Sequence, residues 1–143
     1  MHFGPAHTTG DTAVYFRDAN VVHMGDVFNN TGYPFIDADN GGTLDELIAF
    51  CEGVLAAIDE ETIVVPGHGA TASTAEFARY TRDLATIRDR LSDQVRNGLD
   101  LDEIIAAKPT SDFDETYGDN TMFINRAVKS LIYRYHPLMS ALV

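Results

Sequence analysis

Cysteine is almost missing from this chain: Cys51 stands alone, which rules out an intrachain disulfide and leaves the redox compartment unspecified. Basic residues are scarce as well. Ten Lys and Arg face 22 Asp and Glu, a formal net charge of -12 that repels phosphate backbones and anionic membrane surfaces. Nucleic acid and membrane are therefore poor partners, although a local cationic or metal-filled site could still accept an anionic small molecule. No apolar run reaches the length of a membrane span, and the N-terminus has no basic segment followed by an apolar one. The expected location is the cytoplasm, unless a signal has been removed upstream.

What is present is an ordinary globular composition. The 143 residues fit one domain, and 45% hydrophobic content is enough to bury a core. Short β-prone runs at 12–16 (TAVYF) and 21–24 (VVHM), joined by RDAN, read as a hairpin. The stretch 25–42 is rich in Gly, Asn and Asp without helical or strand period, and predicts a long loop of the functional kind.

Leu44, Leu47, Ile48, Cys51, Val54, Leu55 and Ile58 then recur at spacings of three and four, with Thr43 and Glu46 set as a capping box. That is an amphipathic helix, and Cys51 falls on its apolar stripe as a buried, inert thiol. TIVV at 62–65 reads as a buried strand and PGHGATAS as a Gly-rich turn. A second capping pair, Ser73 and Glu76, opens a long helix through Phe77, Tyr80, Leu84, Ile87, Leu91 and Val95 to a stop at Gly98. Helices at 101–107 and 121–136 complete the pattern. The expected division is an α/β domain over 1–108 with a helical extension of the same domain over 109–143.

Three potential ligands share a setting: His7, Asp26 and His68 each sit beside glycines in a loop adjoining a predicted strand. Imidazole and carboxylate suit zinc and similar divalent ions, and neighbouring glycines let the backbone aim them at a common point. For a single His in such a loop, a plain surface role is the other reading. His2, His23 and His136 read as surface or structural residues.

The segments GPAHTTGDTAVYF, HMGDVF and VVPGHG, in that order, closely resemble the last three metal-binding motifs of the metallo-β-lactamase-fold hydrolases, over roughly 2–97. The resemblance implies that His7 is the third His of a first metal site, Asp26 the catalytic carboxylate bridging two ions, and His68 the His of the second site. It further implies two zinc ions in the complete site, one or fewer per isolated chain, with manganese or iron as alternatives. The reaction implied is attack of metal-activated water on a carbonyl or phosphoryl centre. Thr8, Thr9 and Asp11 are placed to orient these ligands, or else simply to form the turn. Asn30, Tyr33 and Phe35 are the loop residues expected at the substrate, with aromatic packing as the other role for the last two.

One motif of that family is missing. Its first half carries H-x-H-x-D-H, and this chain has no such sequence. The chain thus begins where the second half of the family's αββα sandwich would begin. The expected fold is that half: a small mixed sheet with helices on one face and a helical C-terminal extension. Substrate classes implied are esters, lactones, lactams, thioesters and phosphoesters. Glyoxalase II is disfavoured, because NNTGYPF stands where its Gly-Cys-Gly-Arg would follow the bridging Asp.

The alternative is a non-catalytic half-fold that self-associates or pairs with a partner and binds metal weakly or not at all. In either case the helices can cover only one face of the sheet. Val14, Phe16, Val22, Ile63 and Val65 would leave the other face apolar, inviting a homodimer or pairing with a missing N-terminal half. Otherwise the segment 109–143, through Phe123, Val128, Leu131 and Ile132, would fold back over it.

Overall fold

The computed structural model describes residues 1–135, and the side chains of 1–132. Four short strands form one mixed sheet in the order β1 (Val14–Phe16), β2 (Val21–His23), β3 (Ile63–Val65) and β4 (Ala72–Ser73). β1 and β2 are antiparallel, β2 and β3 parallel, β3 and β4 antiparallel. The RDAN link is a single 3-10 turn, Arg17–Ala19, closed by Asn20 in the left-handed region. The parallel pair is joined by α1 (Leu44–Leu55), the crossover that a parallel connection requires.

Pleating sorts the side chains. Tyr15, Val22, Val64 and Ala72 lie in register on the face that meets the helices, where Val22 and Val64 are fully buried. Phe16, Val21 and Ile63 share the opposite face with Val14, His23 and Val65. Val14, Phe16 and Ile63 remain 48%, 56% and 48% exposed, so this face is open and apolar. Val22 does not belong to it, contrary to expectation, because a period of two sends it to the core side.

α1 and α2 (Thr74–Arg96) cover the inner face. Thr43 caps α1 by accepting from the Glu46 amide, whereas Ser73 and Glu76 form the full reciprocal box on α2. Phe77, Tyr80, Leu84, Ile87, Leu91 and Val95 are all buried along α2, each contributing about 1.5–3 kcal/mol by leaving water. Arg88 on α2 clamps Asp45 on α1 at 2.6 Å.

The remaining helices are α3 (Leu101–Ala106), α4 (Asp114–Tyr117) and α5 (Thr121–Tyr135). Periodicity had not indicated α4 or β4. α5 packs on α2, α1, α3 and the 3-10 turn Ala38–Asn40, burying Phe123, Val128 and Leu131. Its apolar stripe therefore adds to the helical layer, and the open sheet face keeps its exposure. His136 and the rest of 136–143 lie outside the described residues. Cys51 is fully buried, and burial pushes its thiol up to about 12, as an inert core position requires.

Candidate metal centre

β2 and β3 run parallel, so the loops that follow them leave the sheet at the same end, the usual position for ligand sites in α/β folds. The loops stay together. Met24 N donates to Val65 O, Gly67 N to Gly25 O, and Asn30 N to His68 O, at 2.9, 2.8 and 2.9 Å. Asp26 rides on the 3-10 turn Gly25–Val27 directly after β2, and His68 lies just beyond β3. The outcome is a contact of 3.1 Å between His68 Nε2 and Asp26 Oδ1, with both side chains more than half exposed. A carboxylate and an imidazole thus meet at the surface, open to an incoming ligand.

Gly67 makes that meeting sterically feasible. A Cβ on it would sit 2.6 Å from Asp26 Oδ1 and 2.6 Å from the Gly25 carbonyl. The glycine immediately before His68 was the sequence signal for this close approach.

His7 is held from a different direction. Its carbonyl accepts from Asp37 N at 3.0 Å, and the neighbouring Ala6 carbonyl accepts from Thr43 N at 3.2 Å. The ring meets Phe35 edge-on with centroids 5.7 Å apart. Both ring nitrogens are buried and have no hydrogen-bond partner. Buried imidazole nitrogens are ordinarily satisfied, so this pair is chemically vacant.

The other expected residues take definite places. Thr8 donates through its amide and its hydroxyl to Asp11 Oδ2, at 2.6 and 3.2 Å, which is turn-forming geometry. Thr9 N donates to Asn40 O at 3.2 Å. Asn30 is exposed and ties its loop to the next through Nδ2 donating to Ala70 O at 2.8 Å. Tyr33 is only 7% exposed: its ring stacks on Phe123 at 4.7 Å and its hydroxyl donates to Asp114 Oδ1 at 2.8 Å. Its contacts are those of the packing role. Phe35 is exposed, between His7 and the Arg126 guanidinium, which lies 5.0 Å over its ring. His23 is exposed and accepts from Gly25 N at 3.1 Å, and His2 contacts the Asp11 carbonyl at 2.7 Å.

Two supports of the site had no sequence signal. Arg126 on α5 donates to the Ile36 carbonyl, Asp39 and Asp37 at 2.9, 2.7 and 3.1 Å, fastening the loop that carries Phe35. Asp114 accepts from Tyr33 and from Asn120 Nδ2, which also donates to the buried Thr110 hydroxyl at 2.9 Å. Both act across many residues of chain.

The donor types, an imidazole and a carboxylate in contact and a half-buried imidazole whose two nitrogens have no partner, suit a divalent ion. Their grouping is partial: among the described residues no three His, Cys, Asp or Glu side chains gather closely enough to hold one. Asp26 and His68 are brought together, and His7 is not part of that cluster. No helix among the described residues is long and apolar enough to cross a membrane.

Comparison with known proteins gives a bounded result. No protein-family model matches the chain. Over 67 residues it is 34% identical to "Probable metallo-hydrolase YqgX" of Bacillus subtilis (strain 168), a match covering 47% of this chain and 31% of that protein. The chain is thus similar, across less than half its length, to part of a longer protein named as a metallo-hydrolase.

Proposed function

We propose that this chain is part of a metal-dependent hydrolase, supplying His7, Asp26 and His68 as ligands, with Asp26 as the catalytic carboxylate. The observation that carries this reading is the contact between Asp26 and His68 at the shared end of two parallel strands. The likeness to a probable metallo-hydrolase and the buried, unpartnered ring nitrogens of half-buried His7 support it.

In this reading Asp26 and His68 present their donor atoms to solvent, which leaves room for both an ion and a substrate. Gly67 keeps the two donors close, while Phe35 and Arg126 fix the wall beside His7. A bound zinc ion, or manganese or iron in its place, would supply a Lewis acid and lower the pKa of water to about 7. The substrate is a small ester, lactone, lactam, thioester or phosphoester. Thr8, Thr9 and Asp11 shape the turn that carries His7, and Asn30 with Phe35 borders the substrate side.

The open sheet face bears on the same question. Its exposed Val14, Phe16 and Ile63 call for a cover, and the donor set of one chain is incomplete. The occupant we propose is an αβ half with its own apolar sheet face and the H-x-H-x-D-H ligands. Self-pairing would bring together two bodies of formal charge -12.

The test is hydrolysis of nitrophenyl esters and phosphoesters with zinc added. The chain alone should be feeble, and a half bearing H-x-H-x-D-H should raise turnover by orders of magnitude, with Asp26→Ala removing the gain. Hydrolysis by a verified monomer that survives both a chelator and Asp26→Ala would overturn the reading. So would a stable homodimer through this face, lost on Phe16→Asp, that hydrolyses nothing.

A further inference from the structure

A ligating imidazole is ordinarily held in orientation by a hydrogen bond from its second ring nitrogen to a carboxylate or a carbonyl. His7 has no such support among the described residues. Both of its ring nitrogens lack a partner, and the carboxylate of its own turn, Asp11, is engaged through Oδ2 with the Thr8 amide and hydroxyl at 2.6 and 3.2 Å. The ring must be oriented by other means.

The backbone on either side of it is tied down. The Ala6 and His7 carbonyls accept from Thr43 N and Asp37 N at 3.2 and 3.0 Å, and Gly42 packs so closely that an added Cβ would overlap the His7 carbonyl. What is left to fix is the side-chain torsions. The imidazole meets the Phe35 ring edge-on, with centroids 5.7 Å apart and planes at 70°, one of the favoured aromatic geometries.

Phe35 is a surface residue, 42% exposed, and a benzyl group there would turn freely unless it were held. Two features hold it. Its backbone runs between the buried Pro34 and Ile36, and the Arg126 guanidinium lies 5.0 Å over its ring. The guanidinium is itself immobilised, because the Arg126 side chain is 15% exposed and donates to Ile36 O, Asp39 and Asp37 at 2.9, 2.7 and 3.1 Å. Asp37 is also the residue whose amide holds the His7 carbonyl. One cation on α5 thus reaches His7 by two routes, through Phe35 to the ring and through Asp37 to the backbone.

We propose that Phe35 and Arg126 are positioning residues for His7, Phe35 setting the angle of the imidazole and Arg126 holding Phe35 against it. Aromatic packing here takes the place of the missing hydrogen bond. The consequence for metal rests on the hydrolase reading, in which His7 is a ligand; the orientation of the ring does not. A ligand held near its bound geometry loses less freedom on binding, so in that reading α5 tunes the affinity of an ion that it does not ligate.

Two measurements on the whole chain test the parts separately. In the metal-stripped chain kept in chelator, the His7 ring-proton NMR shifts, assigned by their loss in His7→Ala, carry the ring current of Phe35, and Arg126→Met should move them toward those of exposed His23. In calorimetric zinc titration, Phe35→Leu and Arg126→Met should each weaken binding about tenfold, whereas Phe35→Tyr, which keeps the ring, should bind as wild type does. In a His7→Ala background Phe35→Leu should add no further loss. Because Phe35 is exposed, Phe35→Leu keeps the test open if Arg126→Met perturbs folding. His7 shifts unchanged in Arg126→Met, zinc affinity unchanged in Phe35→Leu where His7→Ala weakens it, or an equal loss from Phe35→Leu in the His7→Ala background would overturn the proposal. Zinc affinity unchanged in His7→Ala would overturn the ligand reading of His7 and the metal half of this proposal, while the metal-free shifts would still decide the orientation.

Discussion

Asp26 Oδ1 and His68 Nε2 lie 3.1 Å apart, and Gly67, the residue before His68, packs so closely on the other loop that a Cβ there would sit 2.6 Å from Asp26 Oδ1. The Gly25 carbonyl that an added Cβ would strike is backbone and cannot swing aside. Gly67→Ala should therefore destabilise the fold by about 1–3 kcal/mol and separate the pair. Urea unfolding and zinc titration of the same variant check both effects. An unchanged midpoint with unchanged zinc affinity would show that the loops are less closely apposed.

The Tyr33 hydroxyl and Asp114 carboxylate form the second anchor of the site loop, at 2.8 Å. Asp114→Ala leaves the hydroxyl of a buried ring unpaired and should cost about 1–3 kcal/mol, whereas Tyr33→Phe leaves a half-buried Asp114 that still accepts from Asn120 and should cost less. The double variant should be less than additive by urea unfolding. Burial first, and then the bond to Asp114, raises the Tyr33 hydroxyl above its ordinary value of 10.0. Because the folded value is the higher, this contribution is complete below pH 10.0 and is lost as pH rises beyond it. Tyr33→Phe should accordingly flatten the alkaline loss of stability.

Acid should act on the other wall. Asp37 is held below the ordinary carboxylate value of 3.8, first by Asn40 and also by Arg126; Asp39 is held low first by Lys129 and then by Arg126. Depressed folded values mean stabilisation present above pH 3.8 and lost as pH falls through them. Arg126→Ala should lower the thermal midpoint at neutral pH and shrink the difference between neutral and strongly acidic solution. Equal losses in wild type and variant on acidification would contradict this role.

What could be read in the sequence, and what could not, divides by range. α1 and α2 were legible because Leu44 to Val54 and Phe77 to Val95 repeat at helical spacing, and their caps are local pairs three residues apart. Asp26 and His68 were legible from loop composition beside short apolar strands, and from the resemblance. β4, with two residues, and α4, with four, are too short to leave a period. The side assigned to Val22 was wrong although alternation along β2 carried the answer. Arg126 on Asp37 and Asp39, and Asp114 on Tyr33, are joined only by the fold, and no local pattern announces them.

The central claim is that His7, Asp26 and His68 are metal ligands, and calorimetric zinc titration of the metal-stripped chain tests it most directly. His7→Ala, Asp26→Ala and His68→Ala should each weaken zinc binding by about tenfold or more. His23→Ala, a surface imidazole on β2, should bind as wild type does. Wild-type zinc affinity in all three ligand variants, or equal loss in His23→Ala, would contradict the account.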